Sequence, residues 1–158
     1  MKARSDSRIK GKHLLIAVDQ SESSKRAVLY VADCLGGFPG FRVTLLSVIP
    51  EPEEDFFEDR QGQADWIKKR EAETLQMLEN YRRVLIQSGF AEDKVVTSSH
   101  VGDGKSMAEA ILETRCGLSC CTIVVGRHHH SKTEEFLFGS TSSKLVREAR
   151  NCAIWVVE

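Results

Sequence analysis

The chain has no apolar run approaching the roughly 20 residues that a bilayer-spanning helix needs. Its basic opening, MKARSDSRIKGK, has no apolar segment behind it to make a signal peptide, so the expected location is cytoplasmic and no membrane association is expected. A dominant charge sign is missing as well. The 22 Lys and Arg against 23 Asp and Glu leave a formal charge of −1, which gives no electrostatic case for nucleic acid as a general partner. Cys34, Cys116, Cys120, Cys121 and Cys152 are odd in number and contain no CxxC pair. That spacing argues against a disulfide framework or a structural zinc site and points to reduced thiols packed in the core. The vicinal Cys120-Cys121 pair is a candidate redox pair that nothing else in the sequence supports.

What is present is the composition of one ordinary globular domain. With 158 residues, 41% apolar and 28% charged, the chain is long enough to bury a substantial core but cramped for two. The expected organisation is a tail over residues 1–12 and a single domain over residues 13–158. His13 to Val18, HLLIAV, is a near-continuous apolar run, as expected for a parallel strand covered on both faces. After Asp19-Gln20, Ser21 is placed to cap a helix carrying Ala27, Val28, Val31, Ala32 and Leu35, stopped at Gly36-Gly37. Arg42 to Ile49, RVTLLSVI, reads as a second strand.

Pro50 to Gly62 interrupts this pattern with acidic residues around Phe56 and Phe57. It reads as a flexible acidic loop, with a flap over a ligand or partner as the sharper alternative. A long helix is expected from Gln63 to Ser88, with Ile67, Leu75, Leu78, Tyr81 and Leu85 on one face. Asp93 to His100 reads as a third strand. Asp103 is placed to cap a helix with Met107, Ala108, Ile111 and Leu112, stopped near Gly117. A strand from Ser119 to Gly126, a helix from Gly139 to Arg150 and a strand from Cys152 to Val157 complete the chain. Strands alternating with helices imply right-handed crossovers and an α/β fold, an open five-stranded parallel sheet with helices on both faces in a Rossmann-like arrangement.

Ligands of such sheets bind outside the carboxyl ends of the strands, where the winding reverses. Asp19-Gln20-Ser21 follows the first strand and Gly126-Arg127-His128 the fourth, so the two loops would line one crevice if those strands are neighbours. The segment IVVGRHHHSKTEEFLFGSTSS ends on Gly139, Ser140, Thr141, Ser142 and Ser143 at a helix start. Unpaired N–H groups and the positive end of the macrodipole favour an anion there, although serines and threonines at a helix start are also ordinary caps. The consecutive His128, His129 and His130 cannot all face one ion, so no metal site is expected on them.

The segments IAVDQSESSKRAV, HVGDGKSMAEAILE and VVGRHHHSKTEEFLFGSTSSKLVREARNCAIWVVE resemble the universal stress protein (UspA-type) family, over essentially the whole chain from His13 to Glu158. The resemblance implies an adenine nucleotide alpha hydrolase-like fold and a regulatory module that binds ATP, with Mg²⁺, in the stress response without dedicated catalysis. Nucleotide-binding members carry G-x-x-G-x9-G-[S/T]. Gly126 and Gly139-Ser140 match it, whereas His129 stands at the middle glycine and Gln20 stands where the family has glycine in its first loop. Carried over by residue, the resemblance places Asp19, flanked by Gln20 and Ser21, near the ribose and Val48 beside the adenine, with Val101 and Gly102 bordering it. Gly126, Arg127 and His129 then lie by the phosphates, and Gly139, Ser140, Thr141 and Ser142 cradle them. The family also pairs through its last strand, so Ala153 to Val157 is the expected homodimer contact. The alternative is a dimeric stress protein that binds no nucleotide and acts through contacts with an unknown protein partner. A synthetase-type enzyme is improbable, because Asp19-Gln20-Ser21-Glu22 does not match the Ser-Gly-Gly phosphate loop of the related pyrophosphatases.

Overall fold

The computed structural model describes residues 12–52, 58–127 and 140–158. Most of the acidic segment's centre, including Phe56 and Phe57, lies outside them, as do His128, His129, His130, Lys132 and Gly139. Among the described residues the elements alternate as β1 (Lys12–Ala17), α1 (Glu22–Leu35), β2 (Phe41–Ile49), α2 (Arg60–Gln87), β3 (Val95–Val101), α3 (Met107–Leu118), β4 (Thr122–Gly126), α4 (Ser140–Glu148) and β5 (Ala153–Val157). The strands form one parallel sheet in the order β3-β2-β1-β4-β5.

Side chains alternate across a strand, and β1 uses both faces. Leu14 and Ile16 join Ala27, Val28 and Val31 of α1, with Leu78 and Leu85 of α2, in one core. Leu15 points the other way, with Ala108 and Ile111 of α3 and Leu145 of α4 in the second. The apolar run of β1 is thus explained by its central place. No helix among the described residues is long and apolar enough to cross a membrane.

Several boundaries differ from the sequence expectation, each for a local reason. Helix α2 starts at Arg60, not Gln63, because Asp59 caps it by accepting from the Gly62 N–H at 2.6 Å. Gly62 therefore sits in the first turn, where its N–H has no intrahelical carbonyl partner and is satisfied by the Asp59 cap. Its buried face carries Thr74, Leu78 and Leu85, while Leu75 turns outward at 55% exposure. Strand β3 opens at Val95 and extends through Val101 because residues Glu92–Lys94 form a 3-10 turn. Helix α3 is capped by Ser106 and not by Asp103. Ser106 and Glu109 form a reciprocal capping box, and Asp103 pairs instead with Lys105 at 3.2 Å.

Gly117 lies within α3, and the left-handed turn falls on Ser119, with φ of 53°. The Arg115 side chain reaches the carbonyls of Cys120 and Asn151 at 3.0 and 2.8 Å, holding the chain after this turn. Strand β4 consequently begins at Thr122. Helix α4 ends at Glu148 and β5 begins at Ala153, after a left-handed Asn151. The thiols are not uniformly internal: Cys120 is buried, Cys121 and Cys152 half-buried, and Cys34 and Cys116 exposed. Burial pushes the Cys120 thiol up to about 11, which keeps it protonated and a poor nucleophile.

The capping assignment separates two substitutions. Ser106→Ala should lower stability by about 0.5–2 kcal/mol in urea unfolding, whereas Asp103→Ala should change it by less than about 0.5 kcal/mol. Equal effects would return the cap to Asp103.

Candidate functional site

The strand order reverses between β1 and β4, so the loops leaving these two strands share one end of the sheet. After β1, the Val18 N–H still pairs with the Leu46 carbonyl at 2.8 Å, and the chain then turns into α1. Asp19 organises that turn. Its Oδ1 accepts from the Ser21 N–H and from the Ser24 hydroxyl, both at 2.8 Å, and its own N–H donates to Ser24 Oγ at 2.9 Å. Ser21 caps α1 by accepting from the Ser24 N–H at 3.2 Å. The Asp19 carboxylate therefore sits at the positive end of α1. Its charge reaches Tyr81 of α2, whose hydroxyl is raised above its ordinary value first by burial and then by Asp19 and Glu22.

Gly126 ends β4 directly against this turn. A Cβ there would collide with the Ser23 carbonyl and crowd the Ser24 nitrogen. The glycine is thus required by backbone packing whatever its relation to a ligand. Arg127 follows with its N–H on the Val157 carbonyl at 2.7 Å and its guanidinium 3.7 Å from Glu158. It lies outside the linings of the cavities described next.

Two cavities meet at the switch point, sharing Asp19 and Val48. The smaller, about 160 Å³, is bounded by Ser24, Gly126, Met107 and Ile111, and by Thr141 and Ser142 in the first turn of α4. The larger, about 500 Å³, lies between the end of β2 with the segment that follows it (residues 47–52) and a stripe of α2 formed by Trp66, Arg70, Thr74 and Met77. Gln20 and Ser21 also border it. Ser140 is exposed at the start of α4. Val101 pairs with Ile49 in the sheet, and Gly102 donates its N–H to the Ile49 carbonyl at 2.8 Å, behind Val48 and outside both linings. His129 and Gly139 are outside the described residues. The structure thus brings Asp19, Gln20, Ser21, Val48, Gly126, Thr141 and Ser142 together.

Ser24, Trp66, Arg70 and Met77 were not singled out by sequence. The α2 residues carry a signal, since positions 66, 70, 74 and 77 repeat at helical spacing and Thr74 among them lies on the buried face. Both linings are mixed. The smaller cavity sets Ser24, Thr141, Ser142 and the α4 N-terminus, which can receive phosphate, beside apolar residues, and the larger sets Trp66, Ile49 and Met77, which suit a nucleoside, beside Asp19, Glu51 and Arg70. Among the described residues no group of three or more His, Cys, Asp or Glu could hold a metal ion unaided.

Residues 11–158 match the universal stress protein family. The chain belongs to the universal stress protein family. No curated protein matches it significantly in sequence. Among solved structures, it is similar to a protein whose biochemical function was assigned from its structure, at 25% identity and TM-score 0.76, covering 92% of this chain and 94% of that one. A universal stress protein in complex with cAMP superposes at TM-score 0.69 and 18% identity over 94% and 97% of the two chains. A universal stress protein from Archaeoglobus fulgidus in complex with dAMP does so at 0.57 and 16% over 92% and 96%. These last two likenesses establish the shared fold.

The wall that α3 and α4 share in this family member is tied by Lys144, which donates to Glu109 at 2.8 Å and to Ser106 Oγ at 3.2 Å. The Lys144 bond, then the Ser106 N–H, lower the Glu109 carboxyl from the ordinary 4.5 to about 2. A depressed carboxylate contributes its stabilisation above the ordinary value and loses it as pH falls through the folded value. The tie should therefore weaken between pH 4.5 and about 2. A carboxyl-carbon NMR titration should place the Glu109 midpoint near 2 and move it upward in Lys144→Met. A wild-type midpoint at 4.5 would show the tie absent in solution.

Proposed function

We propose that this universal stress protein is a regulatory module that binds ATP with Mg²⁺ in the stress response and carries no dedicated catalysis. The observation that supports it best is the pair of joined cavities sharing Asp19 and Val48, the smaller bordered by Thr141 and Ser142 at the start of α4 and the larger offering Ile49, Pro50, Trp66 and Met77 among polar residues. A nucleotide spanning both would set its phosphates at the first turn of α4, near Ser140, Thr141 and Ser142, with Gly139 and Gly126 flanking them. Asp19 would lie beside the ribose, where its carboxylate could share a Mg²⁺ with the phosphates, as Mg²⁺ sites built from one or two carboxylates and a substrate do. Val48 would lie beside the adenine, with Val101 and Gly102 behind it. Binding of cAMP and dAMP by structural neighbours supports the nucleotide class. Arg127, already near Glu158, and His129, in the place of the motif glycine, are secondary contributors in this reading.

The test is calorimetric titration with Mg·ATP on wild type and Thr141→Glu. A carboxylate in the first turn suits the helix dipole but repels phosphate, so the variant should keep its melting temperature and lose at least about tenfold in affinity. Absence of heat and of thermal stabilisation at millimolar ATP in nucleotide-free wild type would sink the proposal.

A second reading, a homodimer acting through protein contacts, is favoured by β5. Ala153 donates to the Cys121 carbonyl at 2.9 Å and Val157 accepts from the Arg127 N–H at 2.7 Å, so alternate residues face β4. Ile154 and Val156 then turn their N–H and C=O groups to the open side of an outer strand. Trp155 and Tyr30 form an edge-on pair at 6.1 Å beside this strand. Ile154→Pro removes an outward N–H while leaving the β4 ladder intact. Light scattering should show a wild-type dimer and a folded monomeric variant. A monomeric wild type would remove β5 pairing.

A further inference from the structure

We propose that Trp66, positioned by Arg70, is the platform on which the base of the bound nucleotide stacks, making this α2 residue a specificity determinant of the site. The inference rests on the nucleotide reading above and adds to it the side chain on which the base stacks. Trp66 is half-buried and lines the larger cavity across from Val48, Ile49 and Pro50. The Arg70 guanidinium lies 5.4 Å from the indole centroid and is itself paired with Glu73 at 3.5 Å. A ring held this way by a cation loses less rotamer freedom when a ligand stacks on it.

The anchoring groups set the direction. Asp19 borders both cavities and Arg70 the larger, whereas Glu51 borders the larger only and can accept from the N–H groups of a base. The smaller cavity offers Thr141, Ser142 and the α4 N-terminus, where phosphates are favoured. A nucleotide spanning the two therefore runs from Trp66 to α4, base first. A flat base between the apolar end of β2 and an indole meets a π-face on one side and aliphatic carbon on the other, which suits a purine.

Trp66 is one of 2 tryptophans, so Trp155→Phe leaves it as the sole indole reporter. In that protein Mg·ATP should change Trp66 fluorescence saturably, and tripolyphosphate should not. By calorimetry on the otherwise wild-type chain, Trp66→Leu should weaken Mg·ATP on the order of tenfold, Trp66→Phe should recover most of that loss, and tripolyphosphate affinity should be the same in all three. Unchanged Mg·ATP affinity in Trp66→Leu, with wild type binding normally, would overturn the platform and leave the nucleotide site standing. Equal losses of Mg·ATP and tripolyphosphate would overturn it too, since the defect would not concern the base. A wild type that binds no Mg·ATP would remove the nucleotide reading and the platform together.

Discussion

The structure depends on the backbone contact between the end of β4 and the first turn of α1. Gly126 lies so close to the Ser23 carbonyl that no side chain fits between them. Ser24, one residue on, ties the same turn to Asp19 through its hydroxyl. The contact brings the loop after β1 and the end of β4 to one place, and it is possible because β1 and β4 are paired neighbours at the reversal of the sheet. The β1–β4 pairing in turn requires β1 to be covered on both faces, by the core under α1 and α2 and the core under α3 and α4.

The site inherits its two halves from those two cores. Helix α2 contributes Trp66, Arg70, Thr74 and Met77 to the larger cavity, from the side where Leu78 and Leu85 are buried. Helices α3 and α4 supply Met107, Ile111, Thr141 and Ser142 to the smaller, from the side where Leu145 is buried. Asp19 and Val48 stand between them. The Lys144 tie from α4 to the Ser106–Glu109 box fixes two of these walls relative to each other through one cation.

Much of the fold was legible in the chain because its signals are local. HLLIAV and RVTLLSVI are apolar on both faces, and Ser21 with the apolar spacing after it marks α1. Errors arose where two residues compete for one local role. Asp103 and Ser106 can each cap a helix, and the reciprocal bond with Glu109 decided for Ser106. Gly117 reads as a stop, yet the left-handed turn went to Ser119, where Arg115 holds the following carbonyl. Leu75 reads as core, but α2 is rotated so that Thr74 and Leu78 face inward.

By itself, the sequence determined the alternation of strands and helices, the parallel sheet and the family, since each follows from patterns within a few residues or from motifs in fixed order. It also marked Asp19, Gly126 and the hydroxyls after Gly139 as unusual chemistry at strand and helix ends. Only the tertiary structure decided that Asp19, Val48, Gly126 and Thr141 share one crevice, that Arg127 turns to Glu158, and that Trp66 and Arg70 wall the larger cavity. Those relations join residues far apart in the chain. They follow from strand order and from the rotation of α2 on the sheet, which long-range burial sets and local pattern does not encode.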